Sequence, residues 1–298
     1  MIKRLLCALL ALSIPFAALA ETSGSLPLLK ISPDARSVAM GETGVASTTG
    51  AMAVFHNPAL IAFADKSQGA FGYSDWLMDL SIQSAALLFK SKGYSFALSA
   101  NSFNVPDLEL RVLPSDDPIE TFSAHDFVGG LSFGVKLMDN LSAGVTGRYV
   151  FQQIYVSEAN GYSIDAGLAY RLDFFNMMIG AAVRNIGQME KLDEERSPLP
   201  TNAAIGLSSN AWDGGDFGLN AAYEVKHYFA DDTRFNFGVE GYWKQHLFLR
   251  VGYQTGSELR SVSGGAGLAW NRFHFDYAYQ PLAEDFEASH RFGLSIDF

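Results

Sequence analysis

The chain has 298 residues, of which 48% are hydrophobic and only 18% charged, with a formal net charge of −11 and a single cysteine. This acidic balance argues against nucleic-acid binding, which needs a basic surface. The cysteine, Cys7, lies in a segment that we expect to be removed. The mature chain would then have no disulfide, no thiolate metal site and no cysteine nucleophile.

Residues 1–20 have the pattern of a cleaved secretory signal. Lys3 and Arg4 precede an apolar run that closes with Ala-Leu-Ala at residues 18–20. The basic start, the short apolar core and the small residues at the end favour cleavage over a membrane anchor. No later stretch approaches the roughly 18 apolar residues that a transmembrane helix needs. If the mature chain crosses a membrane, it must therefore cross as strands.

Residues 21–64 lack strand alternation and contain two short helical signals. Asp34 can cap a short helix that ends near Gly41, and Asn57 can cap a turn that begins at Pro58. The residues between these two signals are small and nearly uncharged. This composition predicts a partly helical hatch packed inside a lumen, followed by a barrel over residues 65–298.

From residue 65 onward, apolar positions alternate with polar or glycine positions in about fourteen segments. Such alternation is typical of strands with one face toward lipid and the other toward a lumen. The predicted strands are 66–75, 79–90, 94–104, 126–137, 141–152, 161–171, 175–184, 202–209, 216–226, 234–244, 246–255, 261–270, 272–280 and 289–298.

The connections between these segments alternate in length. The tight ones fall at residues 91–93, 138–140, 171–173, 244–246 and 270–272, whereas the others are mostly longer and acidic. Prolines 106, 114, 118, 198 and 200 fall in the two longest, 105–125 and 185–201. Short periplasmic turns and long outer loops are typical of an all-β, antiparallel transmembrane barrel. This pattern is less consistent with a soluble β-sandwich or a secreted β-solenoid, the alternatives that alternation alone leaves open.

Charged residues of both signs fall on the predicted inner face, where they can pair across strands or contact the hatch. They are Lys136, Arg148, Asp165, Arg171, Arg184, Glu224, Lys226, Glu240, Lys244, Arg250 and Asp276. The last segment runs to the terminal residue, Phe298. We expect Phe298 to act as an assembly signal for the barrel-assembly machinery.

No motif in the chain predicts catalysis, a metal site or a cofactor. The six histidines lack the spacing of zinc ligands, and no glycine-rich phosphate loop lies between a strand and a helix. Serine, histidine and acidic residues occur without a recognisable hydrolase motif. Acidic runs in the predicted outer loops favour a solvated, repulsive rim over a site for divalent cations. We therefore predict that the protein is not an enzyme.

Short motifs before the barrel resemble the N-terminal signature of the PorV/PorQ family, which is related to FadL-type transporters of long-chain fatty acids. The residues that carry the resemblance are Ala35, Arg36, Met40, Gly41, Val45, Ala46, Asn57, Pro58 and Ala59. The stretch at residues 121–126, Thr-Phe-Ser-Ala-His-Asp, is also similar to that family. Two positions depart from it, because Glu42 and Leu60 stand where the family often has glycine.

The resemblance implies a multi-pass barrel of the bacterial outer membrane, in contact with outer-membrane lipid and lipopolysaccharide, with residues 21–64 inserted in the lumen. Its expected function is gated transport or binding of a hydrophobic substrate. A docking or assembly factor of type IX secretion is the first alternative, with secretion-system proteins as partners. A general diffusion porin is the second, and a hatch in the lumen argues against it.

Overall fold

A computed structural model of the chain describes residues 26–76, 80–110, 118–173, 176–192, 195–230, 232–256, 261–282 and 287–298. The predicted signal, the first residues of the predicted hatch and Pro114 lie outside these ranges. Within them, no helix is both long and apolar enough to cross a membrane.

Fourteen strands close into one antiparallel barrel, as the alternation predicts. The strands before the longest upper connection are β1 Gln68–Asp75, β2 Ser81–Lys90, β3 Tyr94–Leu110, β4 Glu120–Met138, β5 Leu141–Ile154, β6 Ser157–Leu172 and β7 Met177–Met189. A small hairpin, β8 Lys191–Leu192 and β9 Glu195–Arg196, follows. The remaining barrel strands are β10 Asn202–Asp213, β11 Phe217–Tyr228, β12 Thr233–Trp243, β13 Leu247–Thr255, β14 Val262–Trp270, β15 Phe273–Gln280 and β16 Ser289–Asp297.

The first and last strands close the barrel. β1 pairs with β16 from Gln68 opposite Asp297 to Asp75 opposite His290. We call the end of the barrel that carries Gln68 and the β2–β3 and β4–β5 turns the lower rim. The opposite end is the upper rim. By the usual arrangement of such barrels, the lower rim faces the periplasm.

Several strands extend farther toward the upper rim than the sequence indicates. The predicted loop at 105–125 is largely strand, because β3 runs to Leu110 and β4 begins at Glu120. Pro106 therefore lies within a strand, which corrects its assignment to a loop. It falls where the register shifts between Val105 and Leu108, so its missing N–H interrupts a ladder that is already irregular.

Two further loop predictions are wrong. The predicted loop at 153–160 is a tight turn at residues 155–156, since β5 reaches Ile154 and β6 starts at Ser157. The β8–β9 hairpin falls inside the predicted loop at 185–201. These residues are in strands because the neighbouring strands continue to pair above the region in which apolar and polar residues alternate in the sequence.

Side chains along the strands alternate between an exposed, largely apolar outer face and a buried inner face that carries most of the buried polar side chains of the barrel. In β13, Leu249 and Val251 are 72% and 64% exposed, whereas Arg250 between them is 4% exposed. Apolar side chains on the outside and buried charges on the inside are the reverse of a soluble barrel.

The hatch, here residues 26–64, lies inside the barrel. It contains the 3₁₀-helices Pro27–Lys30, Ala51–Phe55 and Pro58–Phe63 and one α-helix, α1 Ala35–Ala39. The two predicted caps are present: Asp34 accepts hydrogen bonds from the first N–H groups of α1, and the Asn57 side chain accepts one from Ala59. Nearly all of these residues are buried, so the hatch fills much of the lumen.

Candidate functional site

Glycines on the inner face of the barrel let the backbone of the hatch touch the wall. A Cβ added to Gly252 would lie 1.8 Å from the Gly41 nitrogen, and one added to Gly144 would lie 2.3 Å from the carbonyl carbon of Pro58. A real side chain cannot occupy either space. Gly41 itself has a φ of 70° and sits where α1 ends, so it also turns the chain away from the helix.

A buried charge network joins α1 to three barrel strands. Arg36 donates two hydrogen bonds to the Glu240 carboxylate, at 3.0 and 2.9 Å. Arg250 donates to the same carboxylate at 2.6 Å and to Asp276, also at 2.6 Å. Arg36 also donates to the Ser47 carbonyl at 2.7 Å, so one guanidinium connects two parts of the hatch with the wall. Charge-assisted bonds of this kind are the strongest hydrogen bonds in proteins.

The side chain of Glu224 binds the backbone in the middle of the hatch. Its carboxylate accepts hydrogen bonds from the N–H groups of Gly44 and Val45, at 2.7 and 2.8 Å. Lys226 lies 3.3 Å from the same carboxylate. Asn57 then donates from its amide to the carbonyls of Val45 and of Leu168 in β6, at 2.9 and 3.0 Å.

A third group of charges holds the helix Ala51–Phe55. Arg148 pairs with Asp165 at 2.5 Å and donates to the Val54 carbonyl at 3.3 Å. Arg184 donates to the Phe55 carbonyl at 2.7 Å. Both arginines satisfy carbonyl groups at the end of this short helix, which have no partner within it.

The charges predicted for the lumen thus separate into three groups. Arg148, Asp165, Arg184, Glu224, Lys226, Glu240, Arg250 and Asp276 contact the hatch or its anchors in the interior. Lys136 and Arg171 lie at the lower rim, where both approach the ring of Phe63. Lys244 was predicted on the inner face but lies in the exposed turn between β12 and β13, 3.6 Å from Asp216. Its strand ends one residue earlier than predicted.

The residues of the N-terminal signature also take different positions. Arg36 and Asn57 bind the barrel wall directly, whereas Ala35, Pro58 and Ala59 pack against it through small surfaces. Met40 and Gly41 form the close contact with β12 and β13.

One side of the upper half of the lumen, formed by β2 to β7, is lined by apolar side chains that pack against the start of the hatch. Leu26, Leu28 and Ile31 pack in one buried cluster with residues from six barrel strands and the upper connection. The barrel members of the cluster are Ile82, Phe103, Val128, Val150, Ala159, Met189 and Leu199. Sequence reasoning missed Leu26 and Leu28, although a leucine-rich stretch between the signal and Asp34 was the available signal.

The lower half of the lumen is hollow. Two cavities of about 400 and 360 Å³ share Thr48, Thr49, Gln68 and His274 and therefore adjoin. The second reaches Arg36 and Glu240. Near the middle of the lumen, a space of only about 30 Å³ lies beside His56 and Leu28. In the described part of the chain, the middle of the lumen is thus nearly filled and its lower half contains cavities.

His56 precedes the signature residue Asn57, and its surroundings resemble a reactive site. Ser32 and Asp34 lie 3.4 and 3.8 Å from its Nε2. Burial, together with the nearby cations Arg184 and Lys226, lowers the pKa of His56 well below its ordinary value. The ring is therefore neutral and buried, and its contact with Asp34 is not an ion pair. Among the described residues, no group of three or more histidines, cysteines or carboxylates could hold a metal ion.

Comparisons with known proteins agree with this architecture. A family model described as "Type IX secretion system protein PorV" matches residues 19–225. The chain is similar in fold to the CymD monoaromatic hydrocarbon channel, with 14% identity, 92% of this chain and 99% of that chain covered, and a TM-score of 0.64.

Two further solved structures have the same fold. One is the Pseudomonas putida toluene transporter TodX, at 12% identity, with 93% of this chain and 98% of that chain covered and a TM-score of 0.61. The other is a Pseudomonas aeruginosa FadL homologue, at 14% identity, with coverages of 93% and 100% and a TM-score of 0.54. No curated protein matches the chain.

Proposed function

The chain belongs to the PorV family of type IX secretion system proteins and is a β-barrel of the bacterial outer membrane, and from this premise we propose that it is a gated channel for an apolar compound. The compound would enter the upper half of the lumen from outside. The start of the hatch would have to move aside to admit it. No catalytic step is needed.

The observation that carries the proposal is the apolar cluster at the upper rim, which the protein fills with its own leucines. Leu26 and Leu28 are 1% and 0% exposed and pack against apolar side chains of the wall, and Leu28 also borders the small polar space beside His56. A ligand pocket is typically apolar with a few polar groups. The two leucines occupy the space that an apolar ligand would take, and displacing them opens that space to the outside.

The distribution of anchors indicates which part of the hatch moves. Residues from Arg36 to Ala59 are tied to the wall by charge-assisted hydrogen bonds and by the close contacts at the glycines. Leu26, Leu28 and Ile31 instead contact the wall through apolar side chains, and Lys30 adds a cation–π contact with Tyr228. Because apolar contacts have no fixed direction, an apolar ligand can replace them. We therefore place the gate at residues 26–31 and the fixed part at residues 36–59.

The test is uptake of a radiolabelled alkane by cells that carry the protein in a lipopolysaccharide-containing outer membrane. We expect wild type to accelerate uptake over cells without it. The double variant Leu26→Ala, Leu28→Ala should accelerate it further, because the smaller side chains leave the upper pocket partly vacant. Heat-modifiable migration on gels would show that each barrel is folded.

The matched control is Leu247→Ala, which removes an outward-facing leucine at the lower rim, far from the upper cluster. It should take up alkane as wild type does. Uptake by wild type that equals that of cells without the protein contradicts the proposal. So does equal uptake by wild type and the double leucine variant.

A docking role in type IX secretion is the second candidate, and the tall strands at the upper rim favour it. β3 to β6 extend farther toward the upper rim than β2, whose upper end is Ser81. Ile119 and Val156, near the upper ends of these strands, are 65% and 76% exposed. Exposed apolar side chains above a membrane are typical of a protein contact surface. Co-purification of secretion-system proteins with wild type, lost in Val156→Asp, would support this role.

We also propose, from the character of its surface, which molecules the barrel contacts. The apolar outer face would contact outer-membrane lipid, and the upper rim would meet lipopolysaccharide. The terminal strand would be recognised by the barrel-assembly machinery after removal of residues 1–20. The resulting mature protein would consist of the hatch and the barrel.

A further inference from the structure

The small space near the middle of the lumen is lined by an excess of cations. It measures about 30 Å³ and lies between the start of the hatch, the helix end at Phe55 and the barrel wall. Lys30 and Glu42 contribute opposite charges to its lining. The other charged side chains that line it are all cationic, and they are Arg148, Arg184 and Lys226.

Two of these three cations have carboxylate partners on the barrel wall. Arg148 pairs with Asp165, and the Nζ of Lys226 lies 3.3 Å from the carboxylate of Glu224. Neither carboxylate belongs to the lining of the space. After these pairs are counted, one positive charge is left without a matching carboxylate.

Arg184 carries this remaining charge. In the described part of the chain its guanidinium forms no ion pair with a carboxylate. It donates to the Phe55 carbonyl at 2.7 Å and to the side-chain oxygen of Asn202 at 3.2 and 3.1 Å. Both acceptors are neutral. Because a guanidinium has five N–H donors, two of them remain for another acceptor.

Two further groups in the lining have donors to spare. The Lys226 side chain is 4% exposed, and among the described residues its three N–H donors have Glu224 as their partner. The side-chain amide of Asn101 forms no hydrogen bond with any described residue, although Asn101 is 6% exposed. Buried donors of this kind are nearly always bound by an acceptor.

We propose that this space binds one small inorganic anion, such as chloride, between Arg184 and Lys226. A volume of roughly 10–15 Å³ suffices for a water molecule, so about 30 Å³ accommodates one ion of this size and excludes an organic anion. The anion accepts the spare N–H groups and supplies the missing negative charge. Without it, a largely buried cation would lack a counter-ion, which is costly.

The bound anion connects the gate of the hatch to its fixed part. The space borders Leu28 and Lys30 in the gate, and Phe55 and His56 in the fixed part. Loss of the anion would leave cations facing one another across the space and would loosen the contact between the two parts. Anion binding does not depend on passage of an apolar compound through the upper half, so it and the proposed channel can fail separately.

Bromide, which can replace chloride and scatters X-rays anomalously, locates the site directly. In crystals of the full mature chain grown in sodium bromide, we expect one anomalous peak between Arg184 and Lys226. The peak should be absent from crystals of Arg184→Gln. Water alone at this position in the wild-type crystals would overturn the proposal.

Protease resistance of residues 26–64 measures the effect of the anion in solution. In detergent, wild type should become sensitive at a temperature a few degrees lower in sodium gluconate than in sodium chloride of equal concentration. Arg184→Gln should show little difference between the two salts, because the excess charge is gone. If Arg184 acted only through Phe55 and Asn202, its loss would have the same cost in both salts, and this result would contradict anion binding.

Two variants control for the fold and for general salt effects. Arg184→Lys keeps the charge and should retain part of the chloride dependence. Arg272→Gln removes an exposed cation from the turn between β14 and β15 and should behave as wild type does. Equal protease resistance of wild type in chloride and gluconate would overturn the proposal.

Discussion

Single glycines decide how closely the hatch fits the barrel, and β5 provides a matched pair to test this. A Cβ at Gly144 would lie 2.3 Å from the Pro58 carbonyl carbon, whereas one at Gly147 would meet nothing within 4 Å. We expect Gly144→Ala to destabilise the hatch by about 1–3 kcal/mol, the usual cost of overpacking. Gly147→Ala, on the outer face of the same strand, should have little effect.

The measurement is limited proteolysis of the hatch in detergent, together with thermal unfolding. Gly144→Ala should make residues 26–64 accessible to protease at a lower temperature than in wild type. The same protease sensitivity in Gly147→Ala would show that glycine matters to the strand itself and not to its contact with the hatch.

His56 predicts a pH dependence of stability. Burial, with Arg184 and Lys226 nearby, holds the pKa of His56 well below its ordinary value of 6.5. The unfolded chain therefore takes up a proton below that pH while the folded chain does not, so stability is full above pH 6.5 and falls on acidification. The loss amounts to at most about 1.4 kcal/mol per pH unit. Asp34, whose pKa is raised by burial, takes up a proton in the folded state and offsets part of this loss.

The variant His56→Gln isolates the contribution of the histidine, because Asp34 is unchanged in it. Unfolding temperatures measured from about pH 7.5 to about pH 5.5 should fall less in this variant than in wild type. His246→Gln, in the exposed turn between β12 and β13, should show the wild-type dependence. An equal fall in wild type and His56→Gln would mean that the native ring is protonated.

Among the secondary-structure elements, we expect the terminal strand β16 to have a second role, as the signal for barrel assembly. Phe298 follows it, is 62% exposed, and donates its N–H to the Ser67 carbonyl at 3.0 Å. We expect deletion of Phe298 to reduce the amount of folded barrel in the membrane, because the assembly machinery would lose its signal. Phe292→Ala, which removes another outward aromatic of the same strand, should leave assembly intact. The readout is the fraction of heat-modifiable protein in outer-membrane preparations.

The strands could be located from the sequence wherever lipid and lumen impose opposite demands on the two faces. Above the membrane both faces meet water, so alternation weakens and the extensions of β3 and β4 were read as a loop. Pro106 strengthened that error, because proline is rare inside strands. The irregular register beside it is a tertiary feature that no local pattern indicates.

The sequence could predict which face of the barrel each residue of the candidate site lies on, but not which residues it contacts. Alternation predicts Glu240 and Arg250 on the inner face, and both are buried in the structure. It contained no information that Arg36, 204 residues before Glu240, would share its carboxylate. Contacts between an irregular segment and a barrel wall depend on the shape of both. The leucine-rich stretch before Asp34 likewise indicates apolar contacts for Leu26, but not where in the barrel they form.

At the scale of the whole molecule, the hatch fills the middle of the described barrel and leaves cavities in its lower half. An apolar cluster packs the start of the hatch against β2 to β7, charges tie the middle of the hatch to the wall, and two cavities lined by both polar and apolar side chains occupy the lower half. A barrel of fourteen strands is too wide to be filled by its own side chains. We therefore expect the hatch to determine whether the lumen conducts.

The Glu240 network should control that closure, and planar-bilayer recordings can test it. Wild type should show no steady conductance, in contrast to a general diffusion porin. In Glu240→Gln, a neutral amide would lie between Arg36 and Arg250, so two buried cations would lose their shared carboxylate. Breaking a buried ion pair in this way typically costs about 3–5 kcal/mol. Transient openings should therefore appear in the variant, because the fixed part of the hatch is no longer held.

Lys244→Gln is the appropriate control, since it breaks an ion pair with Asp216 at the same end of β12 but in solvent. Exposed pairs contribute little to stability, so this variant should remain closed. Steady conductance in wild type would mean that the hatch does not seal the barrel. An absence of openings in Glu240→Gln would mean instead that the glycine contacts and the Glu224 anchor are enough to hold the hatch in place. The seal would then not depend on the Glu240 network.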